Sequence, residues 1–231
     1  STVILNIALT EGVSVVHANE VASATKFGNT FKVETGKSLE VELGQNSTFG
    51  LLNGSSVSGD VNVGTYLNSN PINISNFGNG ASIFYTTGGV TANLNQNYTV
   101  STPTAGTNTS TSVLVASNNS TVKNTATLTT NTNIGLIATK GTGTGASTAQ
   151  NDGTIVSKRG SGIGIYTNES TGNSTGTITM EEGSSVGILG EKNSTLTNSG
   201  KIEVLKASSA GIYGQDSDIT NSGLKTANKG I

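Results

Sequence analysis

The amino-acid sequence predicts an all-β fold, a right-handed parallel β-helix whose rungs are about 23 residues long. Three observations carry that expectation. Two different glycine-containing patterns recur with the same period, the apolar residues inside each alternate with a spacing of two, and the composition suits a thin core. The chain has 231 residues, of which 11% are charged and 4% aromatic, with 31 Gly, 2 Pro and no Cys. Ser, Thr, Asn and Gly together exceed half of it. A formal net charge of −2 with 32% hydrophobic residues does not fit disorder driven by charge. Gly follows no period of three, which excludes collagen.

The first pattern is Asn-x-Gly-x-Ile and its variants. It runs through Asn151–Ile155, Asn173–Ile178, Asn198–Ile202 and Asn221–Leu224, with the glycines at 153, 176, 200 and 223. The second is Ile163-Gly164-Ile165-Tyr166, Val186-Gly187-Ile188-Leu189 and Ala210-Gly211-Ile212-Tyr213. A degenerate earlier copy has Asn124–Leu128 and then Ile134-Gly135-Leu136. Gly141–Thr148 reads as a surface loop inserted after it.

Within each copy the period is two. Ile178 and Met180 alternate with Thr177 and Thr179, and Ile202 and Val204 with Lys201 and Glu203. That spacing turns one set of side chains inward and the other outward on short strands. A third apolar position falls four before each repeat glycine: Val122, Ala149, Gly172, Leu196 and Ile219. Three strands per period make one rung. Stacked rungs place Ile155, Ile178 and Ile202 in one interior column and Ile165, Ile188 and Ile212 in another. The repeat glycines and asparagines are expected at corners, where φ is positive. A right-handed coil follows from the handedness of parallel crossovers.

Residues 1–120 read as irregular rungs with loop insertions, and residues 121–231 as regular rungs of the same continuous solenoid. Ser1–Leu9 alternates as a strand. Gly36–Leu43 and Gly59–Val63 repeat the glycine-then-alternation pattern, while Phe49–Leu52 and Ser82–Tyr85 echo the second anchor. No charged residue occurs between Asp60 and Lys123, and Ser101–Thr111 is a low-complexity loop or linker. Ser1 starts inside an apolar alternation and Ile231 stops inside an anchor. The expectation is therefore a piece of a longer chain with further rungs after it.

Candidate chemistry is sparse. Gly160-Ser-Gly162-Ile-Gly164 has no Lys-Ser/Thr tail and opens no helix, so no phosphate loop is expected. Basic residues are scattered, only Lys158 and Arg159 being adjacent, which leaves no footprint for nucleic acid. No apolar run is long enough to span a bilayer, and no membrane contact by this segment is expected. His17 is the only histidine. Glu40 and Glu42 fall on the polar side of an alternating strand, Glu181 and Glu182 precede a turn, and Asp216 and Asp218 lie in one. These acids read as solvated, so no catalytic residue, metal ligand or cofactor is assigned. Thr127/Thr129 and Thr177/Thr179 hint at a threonine ladder of the ice-binding kind, but Val156 and Lys201/Glu203 interrupt it.

The repeat from Asn198 to Tyr213, Asn-x-Gly-x-Ile followed after ten residues by Gly-Ile-Tyr, resembles passenger domains of type V autotransporter adhesins, the large fusobacterial ones most closely. The resemblance is clear from Thr121 to Ile231 and fainter before. It implies a secreted passenger held at the bacterial cell surface, outside the outer membrane, by a C-terminal barrel. It also implies attachment to other bacteria or to host cells through glycans or cell-surface receptors, without catalysis. The alternative reading is a β-helical polysaccharide-processing or polysaccharide-binding protein of tailspike or lyase type, which needs carboxylates gathered in a groove.

The candidate binding surface is aromatic. Tyr166, Leu189 and Tyr213 hold equivalent positions just after an inward residue, forming an outward or corner row. Tyr66, Tyr85 and Tyr98 lie in the uncharged segment, where amide and aromatic groups occur together. Aromatic side chains supply contact area at low entropic cost.

Overall fold

The computed structural model describes residues 2–6, 13–18, 30–34, 39–55, 57, 59–69, 72–100, 109–143 and 145–227, with side chains from Val41 onward apart from those of Ser69, Ile72 and Ser75. Ile231, most of Ser101–Thr111 and the His17 and Glu40 side chains lie outside that description.

Three strands come first, β1 (Thr2–Asn6), β2 (Val13–Ala18) and β3 (Thr30–Glu34). The coil begins with β4 (Leu39–Leu43), β5 (Thr48–Asn53) and β6 (Asp60–Asn62). A short helix, α1 (Val63–Ser69), precedes β7 (Ile72–Phe77), β8 (Ser82–Thr87) and β9 (Thr91–Leu94). The third rung is β10 (Tyr98–Val100), β11 (Ser112–Ser117) and β12 (Thr121–Asn124). The fourth is β13 (Thr127–Thr130), β14 (Ile134–Thr139) and β15 (Thr148–Asn151). Next come β16 (Thr154–Ser157), β17 (Ile163–Asn168) and β18 (Thr171–Ser174). The sixth rung is β19 (Thr177–Met180), β20 (Val186–Glu191) and β21 (Thr195–Asn198). Last are β22 (Lys201–Val204), β23 (Ala210–Gln215), β24 (Asp218–Asn221) and β25 (Leu224–Ala227).

Every third strand pairs in parallel with the next, so the strands collect into long sheets and the fold is a parallel β-helix. One seven-stranded sheet runs from β5 to β23 and another from β6 to β24; a six-stranded sheet runs from β10 to β25. The register is the one the repeats predict. Ile155 pairs with Ile178 and Ile178 with Ile202, each fully buried. Ile165 pairs with Ile188 and Ile188 with Ile212. Val122, Ala149, Gly172 and Leu196 form the third interior column.

The beginning of the chain departs from this order. β1 pairs antiparallel with β3, and β2 pairs antiparallel with β4. The first parallel contact of the chain is therefore β4 with β7. β2 occupies the free edge of β4, and an edge filled in that way offers no template for further strands. α1 supplies buried Val63 and Leu67 to the core and stands where the sheet of β4 and β7 gives way to the sheet that begins with β10.

The repeat glycines and asparagines have a different task from the one expected. None of Gly153, Gly176, Gly200 and Gly223 has a positive φ, and neither do Asn124, Asn151 and Asn198. A Cβ on Gly176 would collide with the carbonyl oxygen of Gly153, one on Gly200 with that of Gly176, and one on Gly223 with that of Gly200. Gly164 and Gly187 likewise face the carbonyl oxygens of Gly187 and Gly211, at 2.6 and 2.5 Å from an ideal Cβ. Close stacking of backbone on backbone is what excludes a side chain here.

The asparagines point inward. Asn124 Nδ2 donates to Asn151 Oδ1 (3.0 Å), Asn151 Nδ2 to Ser174 Oγ (3.1 Å) and Asn198 Nδ2 to Asn221 Oδ1 (2.9 Å). A buried amide without partners is costly, and stacking supplies them. Serines form a second ladder. The N–H groups of Ser120, Ser147, Ser170 and Ser194 each donate to the hydroxyl of Ser147, Ser170, Ser194 and Ser217 in turn, at 3.1–3.3 Å. The positive φ values fall on other residues, such as Ser161, Glu169, Ser184 and Lys192 at the ends of strands.

Candidate functional site: a trough along one sheet

In the sheet from β5 to β23 the simple alternation fails in a regular way. The second and third residues of each strand both lie inside, as Ile83 and Phe84 do in β8 and Gly164 and Ile165 in β17. The residues on either side of that pair, the first and fourth of the strand, then turn to the outer face together, with Thr48, Ser82, Ser112, Val115 and Ile134 almost wholly covered and Leu51, Tyr85, Ile137, Ile163 and Tyr166 half-buried. They line a trough of about 790 Å³ that runs across the strands.

Its two walls are columns set by register. The fourth positions are Leu51, Tyr85, Val115, Ile137 and Tyr166, continuing beyond the trough as Leu189 and Tyr213. At ~4.8 Å per strand these seven side chains span about 29 Å. The first positions change character midway. Thr48, Ser82 and Ser112 carry hydroxyls, whereas Ile134 and Ile163 are aliphatic. Asn46, Ser47 and Ser110 add polar groups at the hydroxyl end. Among the described residues no charged one lines the trough.

Of the six residues expected to form a binding surface, four share one column: Tyr85, Tyr166, Leu189 and Tyr213. Tyr85 and Tyr166 line the trough itself. Leu189 is half-buried beyond its end, and Tyr213 is 53% exposed. The Tyr166 phenol donates to Glu191 Oε2 (2.8 Å) and accepts from Asn168 Nδ2 (3.4 Å), which fixes the ring. Burial, with the Glu191 carboxylate beside it, holds that phenol above its ordinary pKa.

The other two lie elsewhere. Tyr66 is on α1 and packs, partly buried, against the core. Tyr98 pairs with Leu128, so it occupies the first place in the interior column that continues through Ile155 and Ile178, and burial raises its phenol well above the ordinary value. By surface area Tyr98 is partly buried, packed against the core, and it stands apart from the trough. Leu51, Val115, Ile137 and the hydroxyl wall were not among the expected site residues. The usable cue was the partial copy of the second anchor at Ser82–Tyr85, and at Phe49–Leu52 if that copy is counted from one residue earlier, Thr48.

The acidic residues weighed in the sequence are outside the trough. Glu42 is exposed between buried Val41 and Leu43. Glu181 pairs with Lys158 (3.3 Å) and Glu182 with Lys206 (2.6 Å), both on the surface. Asp216 and Asp218 border a separate polar hollow with Asn193 and Ser194. Among the described residues no three His, Cys, Asp or Glu side chains gather as metal ligands would. Arg159, beside its Gly-rich corner, is buried, with Nη1 donating to the Asn131 carbonyl (3.2 Å); burial lowers its pKa.

The threonine ladder also needs correction. The expected pairs are interrupted at Val156, yet a single file of Thr91, Thr121, Thr148, Thr171 and Thr195 stands in register on the outside of the sheet from β6 to β24. From Thr121 to Thr195 these threonines follow the ladder serines, a Ser-Thr pair in four successive rungs that the glycine anchors had masked.

The fold and trough thus define a β-solenoid with an elongated, uncharged, largely apolar recess. Compared with protein-family models, with curated proteins and with solved structures, the chain finds no match.

Proposed function

We propose that this chain is a non-catalytic binding stretch of a bacterial surface adhesin, a passenger of the type V autotransporter kind displayed outside the outer membrane, and that it attaches the cell to other bacteria or to host cells. The trough carries this reading. Its volume lies within the range of ligand pockets, roughly 300–1,000 Å³, and its lining is apolar and aromatic with a few polar groups. Among the described residues no acid lines it and only Glu191 reaches its rim, through the Tyr166 phenol, whereas glycoside cleavage calls for two carboxyl groups flanking the bond. The rungs beneath Tyr85 and Tyr166 are hydrogen-bonded on both edges, so the recess is preformed.

Beads coated with the purified chain test the reading by adhesion to bacterial and epithelial cells. The double variant Tyr85→Ser, Tyr166→Ser should keep its melting midpoint and lose most adhesion. A variant outside the trough, Lys158→Ser, should adhere as the parent does. Undiminished adhesion by the tyrosine variant removes the trough from the function. Shortening of a polysaccharide incubated with the chain would replace the adhesin reading by the enzymatic one.

A further inference from the structure

The trough has two halves of different chemistry. Between β5 and β11 one wall is made of the hydroxyl residues Thr48, Ser82 and Ser112, facing Leu51, Tyr85 and Val115. Between β14 and β17 both walls are apolar: Ile134 and Ile163 face Ile137 and Tyr166. The change occurs in one step between Ser112 and Ile134, which are direct neighbours in the sheet. Apolar character continues past the end of the trough along Val186 and Leu189. The charged side chains that form ion pairs, from Lys123 to Lys206, are all outside it.

We infer that the trough binds an uncharged amphiphile lengthwise, a neutral sugar-like head at the hydroxyl end and a hydrocarbon tail at the isoleucine end. The inference rests on the adhesive reading and names the ligand class for the same recess. An anionic or cationic head finds no counter-charge there, and desolvating it without one is unfavourable. An extended peptide is a poor occupant. The strands flooring the trough spend their backbone groups on each other, so a peptide laid across them would leave many N–H and C=O groups without partners. Sugar hydroxyls remain in contact with water on the open side while reaching the exposed Asn46 and Ser110 and the rims of the nearly covered Ser82 and Ser112. The tail removes apolar area of Ile137, Ile163 and Tyr166 from water.

Titration calorimetry with dodecyl maltoside below its micelle concentration, maltose and decanoate provides the test. Dodecyl maltoside should bind at one site, with maltose and decanoate each weaker by roughly tenfold or more, since each lacks one half of the match. Ile137→Ser should weaken dodecyl maltoside by about tenfold while leaving maltose unchanged. Ser82→Ala with Ser112→Ala should narrow the preference for dodecyl maltoside over dodecanol. Each variant is first shown to keep the parent's circular dichroism spectrum and melting midpoint. Equal binding of maltose and dodecyl maltoside, equal binding of decanoate, or no binding of any amphiphile overturns the inference. If the tyrosine variant loses adhesion while dodecyl maltoside fails to bind, adhesion stands and the ligand class falls. If dodecyl maltoside binds and adhesion ignores the tyrosines, the reverse holds.

Discussion

The rungs up to β12 and those from β13 onward share one coil but stabilise it with different groups. In the earlier region the interior is filled by large side chains that do not repeat. Phe49 and Phe84 meet edge to face with ring centroids 6.1 Å apart, and Phe77, Leu43 and Leu67 complete the packing. In the later region one small aliphatic residue recurs at each height, and polar ladders run beside it. Leu94 and Asn124 are register partners, so a single interior column changes from leucine to asparagine at the boundary. Among the described residues, surface ion pairs join side chains from Lys123 of β12 onward, from Lys123–Asp152 (3.5 Å) to Lys206–Glu182. Aromatic packing tolerates irregular rung lengths because each contact is individual. Ladders require identical heights, since a hydrogen-bond donor must find its acceptor one rung above.

The largest effect should come from breaking the stacking itself. Ile178→Asp places a charge between Ile155 and Ile202 with nothing to pair it, and should cost several kcal/mol. Chemical denaturation would show the loss as a lower midpoint, or as failure of the chain to fold. An unchanged midpoint would contradict the interior column.

Two truncations in one column compare the regions directly. Leu94→Ala should cost about 2–5 kcal/mol, as large-to-small changes in a packed core do. Asn151→Ala, which removes one of the three acceptors around the Asn124 amide and the donor to buried Ser174, should cost about 1–3 kcal/mol. If the asparagine proves the costlier of the two, the ladder rather than the aromatic packing is the stronger part of the molecule.

The smallest effect is confined to the later rungs and depends on pH. Burial by itself would raise the Asp152 carboxyl; hydrogen bonds from Thr175 and Gln150 (both 2.7 Å) and the Lys123 ammonium outweigh it and hold the group below its ordinary value. A depressed carboxylate contributes stability that is present above its unfolded pKa and is lost as pH falls through the folded one. The parent and Asp152→Asn should therefore differ most in melting midpoint near neutrality. The difference should shrink below the usual aspartate range. A difference that grows with acid would reverse the assignment.

Much of the coil was legible in the sequence from Thr121 onward. Glycines 153, 176, 200 and 223 kept one period while Ile165, Ile188 and Ile212 kept the same one, and only stacked rungs satisfy both. Before Thr121 the same reading gave strands but not their partners. Antiparallel pairing of β1 with β3 and of β2 with β4, and helix α1 in place of a strand, depend on which edges are free after the coil has formed. Alternation reports only that a segment has two faces.

For the site, the sequence alone determined that Tyr166, Leu189 and Tyr213 are equivalent, because equal spacing from equal anchors makes them so. It also determined that the segment between Asp60 and Lys123 carries no charge. Only the tertiary structure decided that Leu51, Val115 and Ile137 join Tyr85 in that column and that Tyr98 packs against the core, because an inserted loop or helix shifts the count without changing the register. It alone decided, too, why the glycines and asparagines recur: neighbouring carbonyls leave no room for a Cβ, and neighbouring amides hydrogen-bond. The trough has the same origin. Two consecutive inward residues turn the first and fourth positions out together, and that geometry exists only when strands stack into a sheet.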